Sequence, residues 1–185
     1  MEEGILITQL NDFIFCPASI YYHHLYEQTN VYLYQNTAQV KGTNAHKTIE
    51  DDRYSSRAEL LQGLAVYCDK YHLFGKIDLF DVKTGALIER KNTIKTIYDG
   101  YVFQLYGQYF ALLEMGYTVT SLKLHSKSDN RSYPVKLPGD DPEMFLKFTD
   151  VLDAMNHFRL DDFQSENIEK CRNCIYESAC GVSLL

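Results

Sequence analysis

The stretch GKIDLFDVKTGALIERK, Gly75 to Lys91, decides how the rest of the chain is read. It presents Asp78, then the turn-forming Lys83-Thr84-Gly85, then an apolar run that ends in Glu89-Arg90-Lys91. Side chains alternate along an extended strand, so Glu89 and Lys91 share a face while Arg90 takes the other. A hairpin reversing near Gly85 brings Asp78 back beside them. Two carboxylates and an ammonium on one sheet face are the parts of a site for a divalent cation and an activated water. A Glu-x-Lys pair alone is commonly a solvated face, so the surrounding chain has to supply the rest.

On the N-terminal side, the segment from Asn36 to Arg53 is rich in helix formers, and His46, Ile49 and Glu50 fall on neighbouring faces at helical spacing. It predicts a helix that carries His46 inward as a third ligand. Three strand-like runs, GLAVYCD, YHLFGKIDLFD and ALIERKN, predict an antiparallel meander. Tyr98 to Met115 returns to a helical period, with Val102, Leu105, Tyr106, Tyr109 and Leu113 as its apolar stripe and Gly116 as its stop. Gln104 and Gln108 stand one turn apart beside that stripe, where a substrate phosphate or base can be touched. Residues 119–127 and 132–137 predict a strand pair, and Asp141-Pro142 opens a last long helix. The fold class is α/β (α+β), with a central mixed sheet of about five strands flanked by helices.

The His46, Asp78 and Glu89 set suits Mn2+ or Mg2+, with open positions for water and a phosphate oxygen. Lys91 would orient that water or offset charge in the transition state. A second set is Cys171, Cys174 and Cys180, three thiols within ten residues. Four-thiolate coordination needs one more, and Cys16, at a junction between two short N-terminal helices, is the leading candidate. Spacing alone leaves zinc and an iron-sulfur cluster both open. Cys68 lies in an apolar run and reads as a small buried hydrophobe. Residues 159–185 are polar, weakly periodic and carry the three clustered cysteines, so the simplest organisation is one domain with cysteine-bearing ends.

The chain has 185 residues, 45% of them hydrophobic, enough for one domain with its own core. Its net charge of -7 counts against a generally basic nucleic-acid coat protein, but not against a nuclease whose carboxylates hold a metal. No apolar run approaches a membrane span and the N-terminus is acidic, so the expectation is a cytoplasmic protein with no membrane partner. Five cysteines in that compartment argue for metal or redox roles over disulfides.

Taken together, ILITQLNDFIFCPASIYYHHLY near the start, GTNAH, GKIDLFD, LIERK, QLYGQY and the terminal CRNCIYESAC resemble the RecB-like nucleases of the PD-(D/E)xK superfamily. Within it they resemble the CRISPR-associated adaptation exonucleases, the fourth-numbered Cas protein family, over nearly the whole chain. The compact length and N-terminal wording look most like members that accompany type V effector systems. The resemblance implies metal binding by His46, Asp78 and Glu89, catalysis by Lys91, and a Gln-x3-Tyr motif that begins at Gln104. Here the sequence departs: position 108 is Gln, and Tyr109 follows one residue late. The resemblance further implies a 4Fe-4S cluster on Cys16, Cys171, Cys174 and Cys180, with 1–30 and 159–185 forming the cluster region of a single nuclease domain, 1–185. It implies an exonuclease or endonuclease that trims single-stranded overhangs of captured DNA, helps select fragments by their protospacer-adjacent motif, and works with the adaptation integrase complex. Two other readings remain at this point: a DNA-end or motif-binding subunit with a secondary cutting role, and a general repair or recombination nuclease of the same fold.

Overall fold

Residues 4–22, 59–174 and 176–185 are described by the structure, a computed structural model. The helix expected over 36–53, with His46, lies outside the described residues. The first half comprises β1 (Ile5–Leu6), α1 (Gln9–Phe15), β2 (Leu60–Gln62), β3 (Ala65–Cys68), β4 (Leu73–Lys76), β5 (Leu79–Asp81) and β6 (Ala86–Lys91). The run YHLFGKIDLFD, expected as one strand of a meander, is two strands in two sheets. β4 lies between β1, parallel to it, and β3, antiparallel to it, in a three-stranded sheet, whereas β5 pairs with β2 and β6 in a five-stranded one. The reason is parity. A single strand of period two sends Ile77 and Phe80 to opposite faces, and the break at Ile77-Asp78 lets both enter one core, 1% and 0% exposed.

The second half adds α2 (Asp99–Glu114), β7 (Ser121–Ser126), β8 (Arg131–Val135), α3 (Pro142–His157) and α4 (Ile168–Arg172). The larger sheet runs β2-β5-β6-β7-β8, antiparallel except for the parallel β6–β7 pair. That parallel pair is joined through α2, as parallel neighbours must be joined by a crossover. Gly85 makes the β5–β6 turn at φ +67°, and a Cβ there would meet the Thr118 carbonyl at 2.8 Å. The same glycine's carbonyl accepts from Thr120 N at 2.8 Å, which ties the turn to the start of β7. Asp141 caps α3 by accepting from Met144 N at 3.2 Å, with Pro142 in the first turn.

α2 is the central helix. The expected stripe includes Tyr109 and Leu113, but Tyr109 is half-buried and Leu113 is exposed, while Phe103, Ala111 and Leu112 are buried. The helix is enclosed on most sides because it packs on the strands and also on α1 and α3. Phe148 of α3, fully buried, meets the rings of Phe103, Tyr106 and Phe110 of α2 at centroid distances of 5.9–6.0 Å.

α1 crosses α2 closely at Gly100, where an added Cβ would lie 2.4 Å from Asn11 Oδ1 and 3.0 Å from Asn11 Cα. Gly→Ala inside a helix ordinarily stabilises by about 0.5–1 kcal/mol. Here the overlap with backbone reverses the sign, and Gly100→Ala is expected to destabilise by about 1–3 kcal/mol, read as a lowered urea midpoint.

Residues near Cys16 lie against residues of the C-terminal segment. Phe13 packs edge-on against Phe158 at 5.7 Å, and Tyr22 stacks on Tyr176 at 6.3 Å. The Tyr22 hydroxyl accepts from Gly181 N at 2.8 Å, and Lys170 Nζ donates to Ile14 O at 3.1 Å.

Candidate active site and cysteine cavity

β6 is the middle strand of the larger sheet, and its alternation turns Leu87, Glu89 and Lys91 toward α2. Glu89 is 8% exposed, unusual for a carboxylate without a purpose for its charge. Its two oxygens are both engaged: Oε1 accepts from Lys91 Nζ at 3.0 Å and Oε2 from Gln108 Nε2 at 2.8 Å. Lys91 Nζ also donates to Gln104 Oε1 and lies 4.8 Å from the centre of the Tyr101 ring, a cation–π contact. Gln104 in turn reaches Thr8 O at 3.5 Å, so the N-terminal segment braces the same cluster.

Asp78 enters from the loop between the two sheets. The antiparallel ladder begins with Leu79 paired to Ile88, so Asp78 comes immediately before it, near the β6 residues that follow Ile88. Its Oδ2 accepts from Arg90 N at 2.7 Å, which fixes the carboxylate at the strand's end.

The structure therefore brings together Asp78, Glu89, Lys91, Gln104 and Gln108. His46 lies outside the described residues. Tyr109 is not part of the cluster: five residues beyond Gln104 it has turned about 140° around the helix, and it packs edge-on against Phe110 at 5.1 Å. Gln108, expected as a substrate contact, is 2% exposed and spends its amide nitrogen on Glu89 Oε2 and, at 3.3 Å, on Lys76 O. It is a residue that holds Glu89, and it is too deeply buried to meet a substrate. Gln108→Leu leaves Glu89 Oε2 without its donor. The expected result is a loss of about 1–3 kcal/mol of stability, with a weaker Mn2+ affinity in calorimetric titration. Among the described residues, the Gln108 Oε1 has no hydrogen-bond partner.

Sequence reasoning missed Tyr98 and Tyr101. Their i, i+3 spacing directly after the Glu-x-Lys strand is the signal that finds them.

Cys16, Cys171, Cys174 and Cys180 line a single cavity of about 770 Å³ between the two chain ends. Burial pushes the Cys16 thiol above its ordinary range, and the neighbouring Cys174 and Cys180 push it in the same direction, whereas hydrogen bonds from Ala18 and Ser19 oppose the shift. Cys171 moves the other way, since hydrogen bonds from Leu184 N, Ser165 and Ser183 favour its thiolate. Among the described residues, no three His, Cys, Asp or Glu side chains converge closely enough to hold a single metal ion as they stand. Cys68 is separate, 2% exposed and pushed up to about 11 by burial first and by Glu114 next.

No family model and no curated protein matches the chain. Among solved structures it is similar to the crystal structure of SSO0001, with a TM-score of 0.53 and 14% identity over 100% of this chain and 89% of that one. At that identity the likeness shows the fold alone: mixed sheets of three and five strands flanked by helices. Among the described residues, no helix is long and apolar enough to cross a membrane.

Proposed function

We propose that the protein is a metal-dependent deoxyribonuclease that hydrolyses phosphodiester bonds in single-stranded or overhang-bearing DNA. The observation that carries this reading is the buried Glu89, held at both oxygens, with the Lys91 ammonium 3.0 Å away and the Asp78 carboxylate on the backbone N–H of the next residue, Arg90. Carboxylate oxygens are the ligands that a hard cation such as Mn2+ or Mg2+ takes, and a small adjustment of Glu89 and Asp78 would turn them to it. Asp78 and Glu89 would hold the ion, with His46 the expected third ligand. Bound there, the ion would lower the pKa of a water and polarise the phosphate. Lys91, oriented by Gln104 and by the Tyr101 ring, would stabilise charge on the phosphate oxygens as the water attacks. Gln108 keeps the Glu89 carboxylate pointed at the ion.

The finer assignment rests on the motif resemblance: a RecB-like adaptation nuclease of the fourth-numbered Cas family that trims prespacer overhangs, takes part in selection by the protospacer-adjacent motif, and works with the integrase complex. Four thiols around one cavity support the accompanying 4Fe-4S cluster. Four thiolates suit zinc and an iron-sulfur cluster alike, and it is the motif resemblance that favours the cluster. Cys16, Cys171, Cys174 and Cys180 would hold it and so close the chain ends around the core.

The test is digestion of 5'-tailed and 3'-tailed duplexes by the purified protein with Mn2+, against a chelated control. Shortening of a tail only in the presence of metal is the expected result, and intact tails under both conditions would overturn the reading.

A further inference from the structure

The loop that leaves β6 is anchored at Ile94, which is 7% exposed and donates its N–H to Ser126 Oγ at 3.3 Å. Beyond that anchor the chain turns outward: Ile97 is 40% exposed and Tyr98 is 58% exposed, at the N-cap of α2. Tyr98 is held in place by an edge-to-face contact with Tyr101, 5.6 Å between centroids and 86° between planes. Tyr101 is the ring beneath the Lys91 ammonium. An exposed, oriented aromatic therefore stands one ring away from the residue proposed to act on the phosphate. It does so on the loop at the carboxyl end of the central strand, where open α/β sheets bind ligands.

A single exposed ring is common on protein surfaces, and what sets Tyr98 apart is its fixed contact with the ring that lies under Lys91. Neighbouring charge argues for the kind of partner: Lys91 lies over the Tyr101 ring that Tyr98 packs against, and Lys95, three residues before Tyr98, is exposed. Ammonium groups beside an open ring match a nucleotide, whose phosphate is anionic and whose base offers a π-face. The ring's restricted orientation favours a flat partner, and every base is flat, so the contact is tolerant of sequence.

We propose that Tyr98, supported by Tyr101, is a stacking platform for an unpaired base next to the phosphate being cut. This deepens the nuclease reading and rests on it for the identity of the substrate. A base inside a duplex has no free face, so the platform selects single-stranded tails over blunt ends.

The experiment uses single-stranded oligonucleotides carrying 2-aminopurine, whose emission is quenched when it stacks; the protein has no Trp to compete with that signal. Binding is measured with Glu89→Gln protein, so that the strand stays intact, with and without Tyr98→Ala or Tyr98→Phe. Tyr98→Ala is expected to weaken single-strand binding by about 5- to 150-fold and to remove the quench. Tyr98→Phe should keep both, and binding to blunt duplex should not change. Unaltered single-strand affinity and quench in Tyr98→Ala would overturn the platform. If the wild type cuts tails and Tyr98→Ala is silent in binding, the platform fails and the nuclease stands. If the wild type does not cut but Tyr98 still governs binding, the platform stands and the nuclease fails.

Discussion

Exchange of Glu89 for glutamine, or of Lys91 for methionine, is expected to lower cleavage of single-stranded DNA by at least about 10²- to 10³-fold, the cost of losing one preorganised group that stabilises developing charge. The two substitutions are chosen so that folding survives. Alanine at 89 would remove the acceptor of a largely buried ammonium and orphan the Gln108 amide, and breaking such a pair costs about 3–5 kcal/mol. Glutamine keeps the volume and an oxygen for Lys91, but loses the charge that a divalent ion requires. Methionine keeps an apolar stem over the Tyr101 ring and loses only the ammonium. Initial rates on a tailed duplex with Mn2+, beside thermal unfolding curves, separate chemistry from stability. Rates within tenfold of the wild type in both variants, with normal unfolding, would sink the assignment of this cluster as the active site.

Cys174→Ala is expected to have the second large effect, and on a different property. Anaerobically purified wild type should be brown and contain iron, whereas Cys174→Ala should be colourless and poorly soluble. Among the described residues, ties between the two cysteine-bearing segments include the Tyr22–Gly181 and Lys170–Ile14 hydrogen bonds, the Tyr22–Tyr176 stack and the Phe13–Phe158 contact. Hydrogen bonds of this kind contribute only about 0.5–1.5 kcal/mol each, so a group bridging Cys16 to the terminal thiols would carry much of the closure. The unfolding midpoint should therefore fall by at least about 5 °C, since each kcal/mol moves a chain of this length by about 2–4 °C. One zinc per chain in colourless wild-type protein would replace the cluster with a single ion and remove the basis for the colour prediction.

These two clusters show why some of the site was legible and some was not. Glu89 and Lys91 are two apart on a run whose apolar alternation is strong, so strand geometry alone places them on one face. The cysteines are legible because three thiols within ten residues have the spacing of metal-ligating thiolates. Gln108 was legible only as a neighbour of Gln104. Nothing local says that its amide turns inward to Glu89 rather than outward to a substrate; that depends on β4 lying close enough for Lys76 O to share the donor.

From residue order and chemistry alone came the mixed α/β class, the β6 strand with its acid and ammonium, and the long helices that begin beside Tyr98 and at Pro142. Those features depend on periodicity, turn residues and short-range spacing, all properties of neighbouring residues. The tertiary structure alone decided that the run from Tyr71 to Asp81 divides between two sheets, that α2 is enclosed rather than striped, that Gln108 serves Glu89, and that Tyr98 is left in solvent beside Lys91. Each depends on which distant segment fills a given volume, and a core closes only when Ile77, Phe80 and Phe148 are buried together.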